Sequence, residues 1–497
     1  MIARGETART VTGVHIVGPG AELLPDDGPF DVFLDGGRIL DIAPAGALRP
    51  VGPVLSGDGA WLLPGLWDHH VHVTQWALAG IRTPLGDVET AAEAAHRMAD
   101  APVQADDRRI GTGFRDALWP DAPSLELLDA ATGETPTYLI NADVHSVWLN
   151  SAALRREGFE APDGVLREGP AFEISRRLNT ADPAVADPLV MRMAERATAR
   201  GVVGVVDLDM TWNEEHWQRR VGAGFDGLRV RFGIYPQHLD RAIAEGLRSG
   251  DALRGAPCDV VQVGPMKVIT DGSLGTRTAA CTHPYPEGGH GMLTVGQDEL
   301  VDLLTRAAGA GIACAVHAIG DAANTQALDA YAATGAWGTI EHAQLVAHAD
   351  LPRFARLGID ASVQPEHALD DRDLTDTIWA AQTALAYPLR ALHEAGASLR
   401  LGSDAPVSPL DPWAAIAGAV FRSRGAREPW RAHEAIDLAT AIAASTAGGS
   451  GRPARIAVGE RADLVLVGAD PATADEHGLR TMPVLATLRE GRVLHRV

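Results

Sequence analysis

Residues 64–72 read PGLWDHHVH, with three histidines inside four positions and an aspartate beside them. Side chains on a β-strand alternate faces with a period of two. Read as a strand, the stretch places Asp68, His70 and His72 on one face and His69 with Val71 on the other. His70 and His72 can then grip one metal ion, and His69 cannot join them. An isolated pair of this kind is equally a pair of hydrogen-bonded core histidines, so the rest of the chain must decide.

Four further residues close apolar, strand-like stretches: Lys267 in VGPMKVITDG, His317 in IACAVHAIG, His342 in GTIEHAQ and Asp404 in RLGSDAPV. Each has an ordinary alternative when taken singly. Lys267 can pair with Asp271, and Asp404 can cap the turn before Pro406. The four become one site only if a fold brings their strand ends together.

The elements that would do so recur along the chain as helix, glycine, apolar strand. ELVDLLTRAAGAG runs into IACAVHAIG, DLPRFARLG into IDASVQP, and PLRALHEAG into ASLRLGSD. Glycine past a helix end supplies the left-handed residue that stops it. Helices alternating with apolar strands predict a parallel sheet covered by helices. Eight strands are expected near 61–72, 202–207, 229–234, 261–270, 312–317, 338–342, 359–364 and 398–404. Eight closes an α/β barrel of the (β/α)8 type, in which binding residues sit at the C-terminal strand ends. Strands one and eight are then neighbours, and His70, His72, Lys267, His317, His342 and Asp404 share one mouth. Cys314, three residues before His317, has the opposite parity and is expected to pack against the helices.

A barrel takes about 250 residues, so much of the 497-residue chain lies outside it. Residues 75–198 are expected as an insertion between strands one and two that shapes the substrate pocket. Residues 1–60 and 455–497 read as short strands, for example FDVFLDGGRILDIA and ADLVLVGADP. They are expected to pair into one composite β-sandwich, leaving 61–454 as the catalytic barrel domain.

Composition narrows the partners. The chain has 43 basic and 65 acidic residues, a net charge of −22, and no basic stripe. Nucleic acid is therefore not an expected partner. No apolar run reaches the ~18 residues of a membrane span, and MIARGETARTV has no apolar signal core. The three cysteines, Cys258, Cys281 and Cys314, are scattered and odd in number, which fits a cytoplasmic protein better than a disulfide scaffold. The expected partner is a small-molecule substrate, with room left for a homodimer.

At this point the sequence resembles the amidohydrolase superfamily, in particular the amidohydrolase-3 branch that includes N-substituted formamide deformylases. The resemblance rests on PGLWDHHVH, DVHSVWLNSAAL, MKVITDGSLGTRTA, VHAIGDAAN, IEHAQ, LGSDAPVSPLDPW and GERADLVLVGADP, in the branch's order and over nearly the whole chain. Three positions depart from it: Leu66, where the branch commonly has Phe; His69, often a small residue there; and Val144, often Gly in the D-G-H motif.

The resemblance implies that His70, His72, Lys267, His317, His342 and Asp404 hold a pair of divalent metals. Zinc is expected, with manganese, nickel or iron left open. A lysine ammonium has no lone pair. Carbamylated by CO2, Lys267 becomes an anion with two oxygens able to bridge two cations. A single-metal site with unmodified Lys267 is the competing arrangement. Metal coordination lowers the pKa of water to roughly 7. Asp404 is the expected base, taking the water's proton and passing it to the leaving amine. Asp143 and His145 match the branch's D-x-H motif and are expected to contact substrate or to order their loop. Trp119, with Phe114 and Trp148, is expected near the pocket or in core packing. Ser273 and Arg277 are candidates for orienting the substrate, although Arg277 can instead hold its loop through Asp271. Arg400 is expected to pair with Asp68. The implied reaction is hydrolysis of an amide or N-formyl C–N bond. A cyclic-amide hydrolase, a deaminase, an esterase or a non-catalytic relative are the alternatives, because fold alone does not choose among them.

Overall fold

Eight parallel strands run in chain order round a closed sheet: Leu66–Val71, Val202–Asp207, Arg229–Ile234, Val261–Ile269, Cys314–Ala318, Gly338–His342, Asp360–Val363 and Leu399–Leu401. They are seen in a computed structural model that describes every residue except 1, 26–27, 105, 181 and 257–259. The seam between the last and first strands is closed by backbone bonds. Asp404 N–H donates to the His70 carbonyl at 2.7 Å, and His72 N–H donates to the Ala405 carbonyl at 2.9 Å. Register carries the strand ends to one level: Ile269 pairs with His317, and Ala318 with His342.

Helices cover the barrel because their apolar residues recur on one face. The helix Gln297–Gly309 buries Leu300, Leu303, Leu304 and Ala307 against the sheet. Truncating a fully buried leucine such as Leu304 to alanine costs about 2–5 kcal/mol. Gly335 and Gly358 end two of these helices in the left-handed conformation, both at φ 65°, as the helix–glycine–strand pattern requires. Cys314 is buried in this helix-facing core, in keeping with its parity. Cys258 lies outside the described residues.

Strands from both ends of the chain share one apolar core that includes Val11, Val14, Val32, Leu62, Leu464 and Leu488. Thr10–Ile16 serves two sheets. Its first half pairs with Phe30–Asp35 and Val54–Ser56, and its second half with Trp61–Pro64. Trp61–Pro64 in turn pairs with Leu464–Val467. The stretch 61–72, expected as one barrel strand, is therefore two. Gly65 marks the break: a Cβ there would meet the Val203 side chain at 2.5 Å. The barrel strand starts at Leu66.

Between the first two barrel strands stands a five-stranded sheet built from Thr83–Pro84, Arg109–Phe114, Thr137–Asn141, Ser146–Leu149 and Val165–Arg167. It carries apolar cores of its own. The helices Val73–Ala79 and Pro183–Thr198 put Val73, Ala77, Leu189 and Val190 into the barrel's core, so both belong to the barrel's helix layer. Among the described residues no helix is long and apolar enough to cross a membrane.

Candidate metal centre

The first and last strands are locked together at the site by Asp68. Its Oδ1 accepts from the backbone N–H of His70 at 3.1 Å and of Ser403 at 2.9 Å. Burial pushes its pKa up to about 7. The expected Asp68–Arg400 pair does not form. Arg400 points instead to Asp360 on the adjacent seventh strand, at 2.7 Å, and Asp68 is occupied by backbone donors.

His70 and His72 project to the mouth beside Asp404. His70 Nε2 lies 3.4 Å and His72 Nε2 3.3 Å from Asp404 Oδ1. Lys267 Nζ lies 3.2 Å from His70 Nε2. The His342 ring centroid lies 4.9 Å from that of His70 and 4.5 Å from that of His317. The six expected residues thus converge. His69 does not join them. Its Nδ1 lies 2.9 Å from the Leu401 carbonyl and its ring stacks on Trp67. Burial pushes its pKa down to about 3, so it sits there neutral.

Whether these side chains suit a divalent cation can be judged from the separations and from what is left unpaired. Two ligands about 2.1 Å from one tetrahedral ion stand about 3.4 Å apart, close to the 3.3 and 3.4 Å found here. Yet Asp404 Oδ1 is buried and, among the described residues, has no well-aligned hydrogen-bond donor. A buried carboxylate oxygen ringed by imidazole nitrogens, at ligand spacing and without a well-aligned donor, is what a cation would satisfy. Protonation points the same way. Burial, then Lys267, brings His70 down to about 4, and burial holds His342 well below its ordinary value. Burial alone would raise Asp404, but His70, His72 and His342 outweigh it and hold the carboxylate ionised. Burial lowers Lys267 to about 8. Neutral imidazoles and an ionised carboxylate are the metal-binding forms.

Partners behind the ring fix which nitrogen faces in, the usual arrangement behind metal-bound histidines. His70 Nδ1 donates to Glu341 Oε2 at 2.6 Å. Burial would raise Glu341, but that hydrogen bond and the charges of His70 and Lys267 hold it at about 2. His342 Nδ1 donates to Gln364 Oε1 at 2.9 Å, and Gln364 Nε2 donates to the Ser362 carbonyl, which fixes the amide's orientation. His317 Nε2 lies 3.3 Å from Asp271 Oδ1. Asp271 is anchored in turn by the backbone N–H groups of Ala280, Ile319 and Gly320. Sequence reasoning missed Glu341, Gln364 and a further histidine, His367. Glu341 was in plain view inside IEHAQ. Gln364 and His367 lie in the QPEH that closes the seventh strand, where polar residues at a strand end were a usable signal.

Above the ring opens a cavity of about 160 Å³. Asp143, His145 and Ser273 line it. Ser273 Oγ donates to Asp143 Oδ2 at 2.6 Å, joining the insertion to the loop after the fourth strand. His145 Nδ1 donates to Glu168 Oε2 at 2.9 Å, and Thr276 Oγ1 donates to the other Glu168 oxygen at 3.1 Å. The opposite wall carries Arg115, paired with Asp370 at 2.9 Å. Two expected substrate contacts are elsewhere. Arg277 turns outward, 41% exposed, to pair with Glu287 at 3.2 Å. Its backbone is left-handed, at φ 59°, and Asp271 has no free oxygen to receive it. Trp119 packs at a tilt against Phe114, 5.6 Å between ring centroids, and joins the insertion's own core. Trp148 is fully buried in that core, because the insertion needs its aromatics for packing.

Comparison with known proteins agrees with this geometry. The model of the Amidohydrolase family matches residues 56–495. Protein LONG AFTER FAR-RED 3 of Arabidopsis thaliana is 28% identical, over 78% of this chain and 73% of its own length. The N-substituted formamide deformylase of Arthrobacter pascens is 26% identical, over 93% of this chain and 94% of its own. The crystal structure of an uncharacterized metal-dependent hydrolase from Pyrococcus horikoshii OT3 shares the fold, with a TM-score of 0.78 at 22% identity, covering 94% of this chain and 99% of that one. With most of its length matched by the family model and a histidine–aspartate ring at the mouth of its barrel, the chain belongs to the amidohydrolase family.

Proposed function

We propose that the protein hydrolyses an amide or N-formyl C–N bond of a small molecule. In this reading His70, His72, Lys267, His317, His342 and Asp404 hold two divalent cations, zinc being the best match to the donor set. Lys267 takes part as a carbamate, since an ammonium offers no lone pair and its Nζ already stands 3.2 Å from His70 Nε2. The cations would supply polarisation of the carbonyl and acidification of water.

The chain's own residues do the rest. Asp404 accepts the proton that water loses as its oxygen bonds to the carbonyl carbon. It then delivers that proton to the nitrogen as the C–N bond breaks, leaving a carboxylic acid and an amine. Glu341 and Gln364 keep His70 and His342 in the tautomer that presents Nε2 inward. Asp143, His145 and Ser273 face the substrate across the cavity and fix its orientation. The N-formyl class is favoured by likeness to the Arthrobacter pascens deformylase over nearly the full length of both chains. The observation that carries the proposal is Asp404 Oδ1, buried without a well-aligned hydrogen-bond donor among the described residues, at ligand spacing from two imidazoles.

The test is a panel of N-formyl and N-acyl amines, with ester and cyclic-amide controls, given to zinc-loaded protein. Release of free amine from the linear amides is expected. Turnover confined to esters or cyclic amides would overturn the assignment of the bond.

A further inference from the structure

Asp404 meets histidines on both sides of its carboxylate. Oδ1 faces His70 and His72, as described above. Oδ2 lies 4.0 Å from Nε2 of His367. His367 sits on the short helix Pro365–Asp370, immediately beyond the seventh strand. It is only 5% exposed, it lines the cavity, and its Nε2 is buried without a hydrogen-bond partner. Its ring lies almost parallel to that of His342, at 10° and 6.2 Å between centroids.

The side chains of His342, His367 and Asp404 each present one ligand atom, and the three atoms lie within 4.8 Å of one another. The same holds for His70, His72 and Asp404. Asp404 is the member common to both groups. A nitrogen and an oxygen 4.0 Å apart are beyond hydrogen-bond range. Ligands about 2.1 Å from a tetrahedral cation stand about 3.4 Å apart, so a small shift of the His367 ring would bring both atoms to one shared ion.

His69 also leaves a buried nitrogen, Nε2, without a partner, but it stacks on Trp67 and lies away from the cavity. His367 differs in bringing its unpaired nitrogen to the cavity, 4.0 Å from Asp404 Oδ2.

We propose that His367 is a metal ligand. With His342 and Asp404 Oδ2 it holds the second cation, while His70, His72 and Asp404 Oδ1 hold the first. The seventh strand then contributes to the site through the helix that follows it. This rests on the reading that divalent cations occupy the ring, and it adds a residue to them.

Two measurements test it. The full-length His367→Cys variant, loaded with cobalt(II), should show a thiolate-to-cobalt charge-transfer absorption that is absent from the wild type and from a His69→Cys control. Zinc titration of His367→Ala against a competing chelator should show the weaker ion's Kd raised at least 100-fold and the tighter ion unchanged. No new absorption together with two unchanged affinities would overturn the proposal and leave the hydrolase reading intact. A wild type that binds no divalent metal would overturn both. If the variants do not fold, an anomalous-difference map of zinc-loaded wild type decides. A peak about 2.0–2.1 Å from His367 Nε2 supports the proposal, and peaks no nearer than about 3 Å overturn it.

Discussion

The floor and the wall of the cavity are built by different means. The floor takes six side chains from the ends of five barrel strands, whose relative height is set by the parallel register. The wall takes Asp143 and His145 from a turn in the insertion and Ser273 from a loop, joined by a hydrogen bond between residues 130 positions apart. Floor residues occupy positions that the barrel dictates. Wall residues occupy positions that only their own contacts dictate. The floor can therefore stay the same while the wall changes with the substrate, as sites at barrel mouths commonly do.

Asp404→Asn should break the floor's chemistry without breaking the floor. The amide keeps a carbonyl oxygen for a cation but cannot take the water's proton. Its kcat is expected to fall by about 10²–10⁴, with metal content largely retained. A loss below about tenfold at full metal content would move the base to another residue, and His145 is the one to test next.

A smaller effect is expected one layer back. Glu341→Gln should weaken metal binding by about 10–100-fold, the usual consequence of loosening a group that orients a metal-bound imidazole. A competition titration reads it directly. Unchanged affinity would show that Glu341 serves the barrel's packing alone.

The wall offers a test in the opposite direction. Val144 stands where the branch usually has glycine, and its φ is 64°. That left-handed conformation is disfavoured for a β-branched residue. Val144→Gly should relieve strain and stabilise the protein by about 1 kcal/mol, less the entropy that glycine adds to the unfolded chain. Differential scanning calorimetry measures it, and a lowered unfolding temperature would show that Val144's packing outweighs its strain. The smallest effect belongs to Arg277, which faces solvent and Glu287. Arg277→Ala should change kcat/KM less than twofold and stability by no more than about 0.5 kcal/mol. A large rise in KM would place it at the substrate after all.

The same contrast explains what the sequence made legible. His70, His72, Lys267, His317 and Asp404 each close a predicted strand, and period-two alternation separated His69 and Cys314 from the site. Alternation misleads at Glu341 and His342. Neighbours on a strand should face opposite ways, yet both reach His70. His342 has φ 74°, and this departure from strand geometry coincides with both side chains facing inward. No periodicity announces such a residue. The positions of Trp119 and Arg277 were not legible for another reason. Aromatic and charged residues in loops look alike whether they face a ligand, a private core or solvent, and only tertiary contacts tell them apart. The strand expected over 61–72 failed for a third reason, since Gly65 divides it where Val203 crowds the backbone.

The account stands on the metal ring, and the most direct test compares the three histidines of the first strand. His69→Ala, His70→Ala and His72→Ala should be purified without chelators, checked for fold by circular dichroism, and assayed for metal by mass spectrometry. His69→Ala should keep the metal content of the wild type, while His70→Ala and His72→Ala lose most of theirs. Equal loss in all three, or metal retained in all three, would contradict the account.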